Sequence, residues 1–288
     1  MSPVAADLAG RRIVLTGASG GIGAVTARHL AALGARLVLV ARDPVALERL
    51  RADLPGGPHR AVALDVADEE AWAKATGGLA AGGPVDGLVT AAGVLGPIGP
   101  PGSWSIAAFR RTIEVNLLGT LLSVLNLIEP LRASRGAVVA LSGGGATAPM
   151  PRFDAYAASK VAVVRLVENM AVELAPAGVR VNCVAPGFVA TAMHRATLEA
   201  GPELAGPEYH ARTRQAVEDG GDPPELSAEL TAFLLSGEAE GITGRLISAR
   251  WDPWRDPDFR ARLRVDASLG RLRRIDDQFF GALPRSLG

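Results

Sequence analysis

Cysteine is almost missing: Cys183 is the single thiol in 288 residues. That excludes an internal disulfide framework and a cysteine-rich zinc site, and it fits a reducing cytosol. Net charge is missing too. Thirty Lys+Arg balance 30 Asp+Glu, so the footprint expected of a nucleic-acid binder or a protein drawn to an anionic membrane is absent. No stretch reaches the roughly 18 uninterrupted apolar residues of a spanning helix. Met1 to Gly10 lacks the apolar run of a secretory signal. The expectation is a cytoplasmic protein with no metal, nucleic-acid or membrane partner.

Aromatic residues are 5% of the chain, with two tyrosines, and Lys74 and Lys160 are the only lysines. Few lysines beside 34 Gly and 20 Pro match the codon bias of a GC-rich genome. What is abundant is apolar: 48% hydrophobic against 21% charged residues, enough for a substantial core and too much for disorder.

Short apolar runs at Arg12 to Thr16, Arg36 to Val40, Ala61 to Leu64, Gly87 to Thr90, Ala137 to Leu141, Arg180 to Val184 and Gly244 to Ser248 read as strands. Ala24 to Leu33, Pro44 to Leu54, Ser103 to Ile128, Asp154 to Ala175 and Glu225 to Leu235 read as helices between them. This alternation predicts right-handed βαβ crossovers and one doubly wound parallel sheet of the Rossmann type, an α/β fold covered on both faces. One domain spans 1–250, and its segment 188–224 is too long for an ordinary connection and reads as a substrate lid. Residues 251–288 form a C-terminal extension. It carries Trp251 and Trp254, then an arginine-rich stretch from Arg260 to Arg274 flanked by Asp256, Asp258, Asp266, Asp276 and Asp277, which argues against nucleic-acid binding.

Thr16-Gly17-Ala18-Ser19-Gly20-Gly21-Ile22-Gly23 joins the first strand to the first helix. Glycines there let a pyrophosphate approach a helix N-terminus, where free N–H groups and the helix dipole favour anions. The strict G-x-G-x-x-G template does not fit, and no Gly-Lys-Ser/Thr follows, so a P-loop is excluded. Farther on, Tyr156 and Lys160 stand four apart on one helix face. A phenol with a pKa of about 10 is a poor acid–base catalyst at neutral pH, and a neighbouring ammonium is expected to lower that value.

Together these motifs resemble the short-chain dehydrogenase/reductase family over residues 10–250. The glycine turn fits Thr-Gly-x-x-x-Gly-x-Gly, and also the Thr-Gly-x-x-Gly-x-x-Gly of the sugar-nucleotide-modifying branch. Val181 to Gly187 and the chain length favour the classical branch. The resemblance implies that Gly17, Ser19, Gly20, Gly21, Ile22 and Gly23 cradle a dinucleotide. Asp65 and Val66 would contact its adenine, and Ala92 and Gly93 would lie along it. Pro186, Gly187, Val189 and Thr191 would bind its nicotinamide end. Tyr156 would be the general acid/base, Lys160 would also hold the ribose, and Asn116 would fix a proton-relay water. The implied reaction is hydride transfer between a secondary alcohol and a ketone. The implied assembly is a homodimer or homotetramer through Ser103–Ile128 and Asp154–Ala175.

The chain departs from the family pattern in places. Thr90 replaces an asparagine that braces the sheet. A catalytic hydroxyl belongs thirteen residues before the tyrosine, where this chain has Gly143; either the triple-glycine loop shifts so that Ser142, one residue earlier, takes that role, or the donor is missing. An acidic residue that would bind both ribose hydroxyls is replaced by Ala41, and Arg42 can pair with a 2′-phosphate. NADP(H) is therefore expected, with Asp43 and the bare Gly20 leaving NAD(H) open. A non-catalytic dinucleotide sensor, favoured by Gly143, and an epimerase or dehydratase with a retained cofactor stay open as well. His194, His210, Arg212 and Arg214 read as solvated lid residues, Trp251 and Trp254 as packing, and Cys183 as inert core.

Overall fold

Each central strand shows two faces to two cores. Ile13, Leu15, Leu37 and Leu39 enter one cluster, while Val14, Val38 and Val40 enter the other, the period-2 alternation of a sheet covered on both sides. The computed structural model describes residues 6–80 and 82–273. Residues 1–5 and 274–288 lie outside them, and with them Arg274, Asp276 and Asp277 of the C-terminal extension. The strands are β1 (Arg12–Thr16), β2 (Arg36–Ala41), β3 (Arg60–Ala63), β4 (Gly87–Thr90), β5 (Ala137–Leu141), β6 (Arg180–Ala185) and β7 (Leu246–Ser248). They form one parallel sheet in the order β3-β2-β1-β4-β5-β6-β7. The expected doubly wound Rossmann-type sheet is what the chain forms.

The helices are α1 (Gly21–Ala32), α2 (Pro44–Asp53), α3 (Glu69–Ala80), α4 (Ile106–Ile113), α5 (Gly119–Asn126), α6 (Ile128–Ser134), α7 (Asp154–Leu174), α8 (Ala192–Ala205), α9 (Pro207–Glu218), α10 (Pro224–Leu235) and α11 (Pro257–Val265). Leu30 of α1, Leu47 of α2 and Phe233 of α10 fill the first core. Trp72 of α3, Val124 of α5, and Val163 and Val167 of α7 fill the second.

Several boundaries differ from the sequence reading. The first helix begins at Gly21 and not at Ala24, so the glycine turn is itself the first helical turn. Helix α3 was not foreseen; it is anchored by Trp72, fully buried, whose indole N–H donates to Val66 O at 3.0 Å. The single helix expected over Ser103–Ile128 starts after Ser105, whose hydroxyl accepts from Ala108 N–H. It then widens into a π-turn at Glu114–Leu118 and bends 58° between Asn126 and Ile128 into α6. The last strand is shorter than Gly244–Ser248, because Gly244 at φ +69° lies in the turn leading to Leu246.

The 188–224 segment holds α8 and α9, and α8 is broken where Gly201 takes φ +77° before Pro202. In the extension, Trp254 and Leu263 are buried in the first core, whereas Trp251 is 77% exposed. Among the described residues no single helix is long and apolar enough to cross a membrane. Nor does any group of three or more His, Cys, Asp or Glu among them stand where it could hold a metal ion.

Candidate active site

The β1–α1 turn closes tightly because two glycines touch backbone. A Cβ on Gly17 (φ +66°) would lie 2.5 Å from Ala92 N, and one on Gly23 would lie 2.1 Å from Gly17 O. Gly20 at the N-cap of α1 offers no side chain to the first-turn N–H groups, so these donors face outward for an anion. A Cβ on Gly20 would meet nothing within 4 Å. The space in front is a cavity of about 660 Å³ along the carboxyl ends of the strands.

Most of the residues singled out above line this cavity. The glycine turn meets Arg42, Asp65 and Val66 at one end and Ala92, Gly93, Ser142, Tyr156 and Lys160 at the other, with Pro186 and Thr191 above. Gly187 and Val189 do not join them; they line an adjoining cavity of about 630 Å³. Asn116 lines neither. Its side-chain oxygen accepts from Val94 N–H at 2.8 Å, and its amide donates to Val94 O and Ser159 Oγ at 2.9 Å each. The π-turn carries Asn116 to this bracing position between the β4 loop and α7, as π-bulges do at functional sites.

Tyr156, near the start of α7, borders both cavities. Lys160 Nζ lies 5.7 Å from the Tyr156 ring centre and donates to Leu141 O at 2.9 Å. The expected depression of the tyrosine pKa is reversed in the chain by itself. Burial pushes Tyr156 up to about 12, with Tyr209 adding to the rise. Burial also pulls Lys160 down to about 8. Desolvation penalises the charged form of both groups and is the largest cause of each shift.

The strand-end position is steric in character. A Cβ on Gly143 would stand 2.3 Å from Tyr156 Oη. Ser142 is on the dinucleotide-like side, its hydroxyl buried without a protein partner among the described residues. Gly143 borders the other cavity. Thr90 is buried, 3.5 Å from the Thr120 hydroxyl.

At the β2–α2 corner the Asp43 carboxylate accepts from Val45 and Ala46 N–H at 2.9 and 3.1 Å. It is committed to capping α2, and the exposed Arg42 is the adjacent charge. Burial by itself raises Asp65, but the Ala67 N–H and the Arg111 guanidinium hold it below the usual carboxylate range. Arg111 went unnoticed in the sequence, since nothing local marks a partner 46 residues away.

In the second cavity Leu95, Met150, Phe188 and Met193 are joined by His194 and Tyr209. His194 and His210 are not solvated as the sequence suggested. His194 closes a capping box with Thr191 and packs on Phe188 at 3.9 Å between ring centres, and burial lowers its pKa. His210 is buried, its Nε2 3.2 Å from Leu198 O. Arg212 lies over the Tyr209 ring, and Arg214 is exposed. Cys183 is buried, and burial raises its thiol to about 12.

A family model described as enoyl-(acyl carrier protein) reductase matches residues 17–249. The cis-4-hydroxycyclohexanecarboxylate dehydrogenase of Sinomonas cyclohexanicum is 36% identical over 248 residues, 83% of this chain and 94% of that one. The D-threitol dehydrogenase of Mycolicibacterium smegmatis is 37% identical over 242 residues, 82% of this chain and 90% of its own. A crystal structure from Beutenbergia cavernae, described as a candidate NAD(P)-dependent gluconate 5-dehydrogenase with NADP bound at low occupancy, superposes with a TM-score of 0.74. It is 31% identical and covers 85% of this chain and 97% of that one.

Proposed function

The chain belongs to the short-chain dehydrogenase/reductase family, and from that premise we propose that it is an NADP(H)-dependent oxidoreductase interconverting a secondary alcohol and a ketone, with Tyr156 as general acid/base. The observation that carries the reading is the place of Tyr156, which borders the glycine-cradled cavity on one side and, on the other, the cavity that Leu95, Met150, Phe188 and Met193 also line.

The residues present suit a dinucleotide. Uncapped N–H groups at the start of α1 and the bare Gly20 suit its pyrophosphate. Arg42 suits a 2′-phosphate, because Asp43 is already engaged in capping α2. Asp65 and Val66 line the adenine end, and Lys160 with Pro186 and Thr191 the nicotinamide end. Bound there, the nicotinamide supplies or takes up the hydride.

The chain's own part is proton handling and placement. In reduction, the Tyr156 hydroxyl donates its proton to the substrate oxygen; in oxidation it removes the alcohol proton. Its raised pKa keeps the phenol protonated at neutral pH, the form that reduction needs. Lys160 stands one helical turn along, where its charge favours the phenolate form once the proton has left. Ser142 is the candidate hydroxyl for polarising the substrate oxygen, and Asn116 fixes the β4 loop against α7.

The substrate is a small ketone or secondary alcohol with an apolar body, seated among Leu95, Met150, Phe188 and Met193. The relatives named above for a hydroxycyclohexanecarboxylate and for threitol support a secondary alcohol as the reacting group. A homodimer or homotetramer in the cytosol completes the reading. Leu118 and Leu125 along the α4–α5 helix, and Val161 and Val172 on α7, are exposed on the helices expected to join subunits.

A panel of ketones and alcohols followed at the NADPH absorbance band tests this. Tyr156→Phe is expected to abolish turnover while NADPH still binds, read by fluorescence titration. Retained turnover refutes the acid/base assignment, and dinucleotide binding without turnover by the wild type favours a sensor.

A further inference from the structure

The last described residues form one side of the second cavity, and the way they are held is unusually complete. Leu246 N–H, on the outer edge of the sheet, donates to Gly270 O at 2.7 Å. Arg245 Nη1 donates to Leu269 O at 2.7 Å. Two residues on, Glu168 Oε1 accepts from Leu272 N–H at 2.7 Å, and Arg165 Nη2 donates to Leu272 O at 2.7 Å. Arg165 and Glu168 also pair with each other at 2.5 Å. One ion pair on α7 thus grips both backbone polar groups of a single residue.

The Glu168 side chain is only 7% exposed, and a carboxylate that far from water is stable only when its oxygens are engaged in this way. The side chain of Leu272 packs against the second core, and Gly270, Arg271 and Leu272 border the cavity that Tyr156 also borders. Strand β7 has three residues and sits at the end of the sheet. Uncovered, its outer edge would present free N–H and C=O groups.

We propose that residues 269–272 are a fixed wall of the substrate chamber, seated by Arg165 and Glu168 as positioning residues, and that this wall limits the size of the ketone accepted beside Tyr156. The proposal rests on the oxidoreductase reading above. Tyr156 and the gripping pair share α7, with about 14 Å of helix rise between Tyr156 and Arg165. The reacting hydroxyl and the wall therefore stand on one rigid rod. The wall's apolar contribution is the Leu272 side chain, and losing contact with a group of that size weakens binding about tenfold or more.

Three variants of the NADPH-loaded protein test it. Glu168→Ala removes the grip, and Glu168→Gln keeps an oxygen for Leu272 N–H. Gly270→Ala acts from the opposite side, since Gly270 takes φ +67° and a Cβ there would lie 2.9 Å from Leu246 O. Amide hydrogen exchange at Leu246 and Leu272 reports whether the segment is seated. KM and kcat for cyclohexanone and for the bulkier 1-decalone report the chamber.

The expected result is slow exchange at both amides in the wild type and fast exchange in Glu168→Ala and Gly270→Ala. In those two variants KM for cyclohexanone rises about tenfold relative to that for 1-decalone, with kcat less affected, and Glu168→Gln restores much of the difference. Fast exchange with an unchanged size ratio overturns the proposal, as does slow exchange in Glu168→Ala or an unprotected Leu272 in the wild type. A protected segment with no turnover of either ketone, or of any member of the wider panel, fails the oxidoreductase reading. The wall, having no substrate to limit, falls with it.

Discussion

At Gly143 the lack of a side chain is a requirement of Tyr156. A Cβ there would approach the tyrosine Oη to 2.3 Å and its Cζ to 3.2 Å, where unbonded heavy atoms settle at about 3.5–4.0 Å. The family pattern places a hydroxyl at this position, and replacing Gly143 by serine looks like a repair. The geometry gives the opposite expectation: Gly143→Ser displaces the phenol and lowers kcat at least tenfold, with NADPH affinity nearly unchanged. Steady-state kinetics beside a fluorescence titration decide it, and a faster Gly143→Ser enzyme would show that the phenol has room to move. Sequence spacing alone could identify Gly143 as a departure. It could not tell that the space is taken, because that depends on the rotamer of a residue on another element.

At the scale of elements, the proposed NADP(H) preference rests on the β2–α2 corner. Asp43 commits its carboxylate to two backbone N–H groups of α2, a capping interaction typically contributing about 1 kcal/mol, and on the proposed reading Arg42 is the side chain that meets a 2′-phosphate. Arg42→Ala is accordingly expected to weaken NADPH about tenfold, within the range of a charge-assisted pair at a partly exposed site, while NADH affinity moves less than twofold. Equal losses for both dinucleotides in competition binding would remove Arg42 from the discrimination.

The strands and the glycine turn were legible because apolar alternation and glycine placement are local signals. The π-turn was not, since it accompanies an Asn116 side chain that reaches Val94, 22 residues away. Helix α3 escaped notice because Gly77 and Gly78 interrupt its pattern. The His194 capping box and the burial of His210 depend on how α8 and α9 fold over the second cavity, which no short window of sequence reports. Gly187 and Val189 lie on the irregular stretch between β6 and α8, and both line the second cavity, which Tyr156 also borders.

For the molecule as a whole, the buried lysine ties stability to pH. Lys160 titrates near 8 in the folded chain against 10.5 in the reference state. A base with a depressed folded pKa binds its proton less well when folded, so its burial opposes folding below about pH 8. That opposition fades as pH rises towards 10.5. The difference corresponds to about 3 kcal/mol. Lys160→Met, which keeps the apolar stem, is therefore expected to be more stable than the wild type at pH 7, with an advantage about 3 kcal/mol smaller at pH 10.5. Urea midpoints of both proteins at the two pH values measure this. An advantage that does not shrink would mean that the ammonium is better solvated than its burial implies.

Glu168 and the amide it holds are separated by 104 positions along the chain. During synthesis the glycine turn and α7 emerge well ahead of that amide, so the second cavity lacks the flank that residues 269–272 provide until they too are made. A nascent chain stalled between Glu168 and Leu272 would therefore fold around a carboxylate whose amide partner had not yet been made.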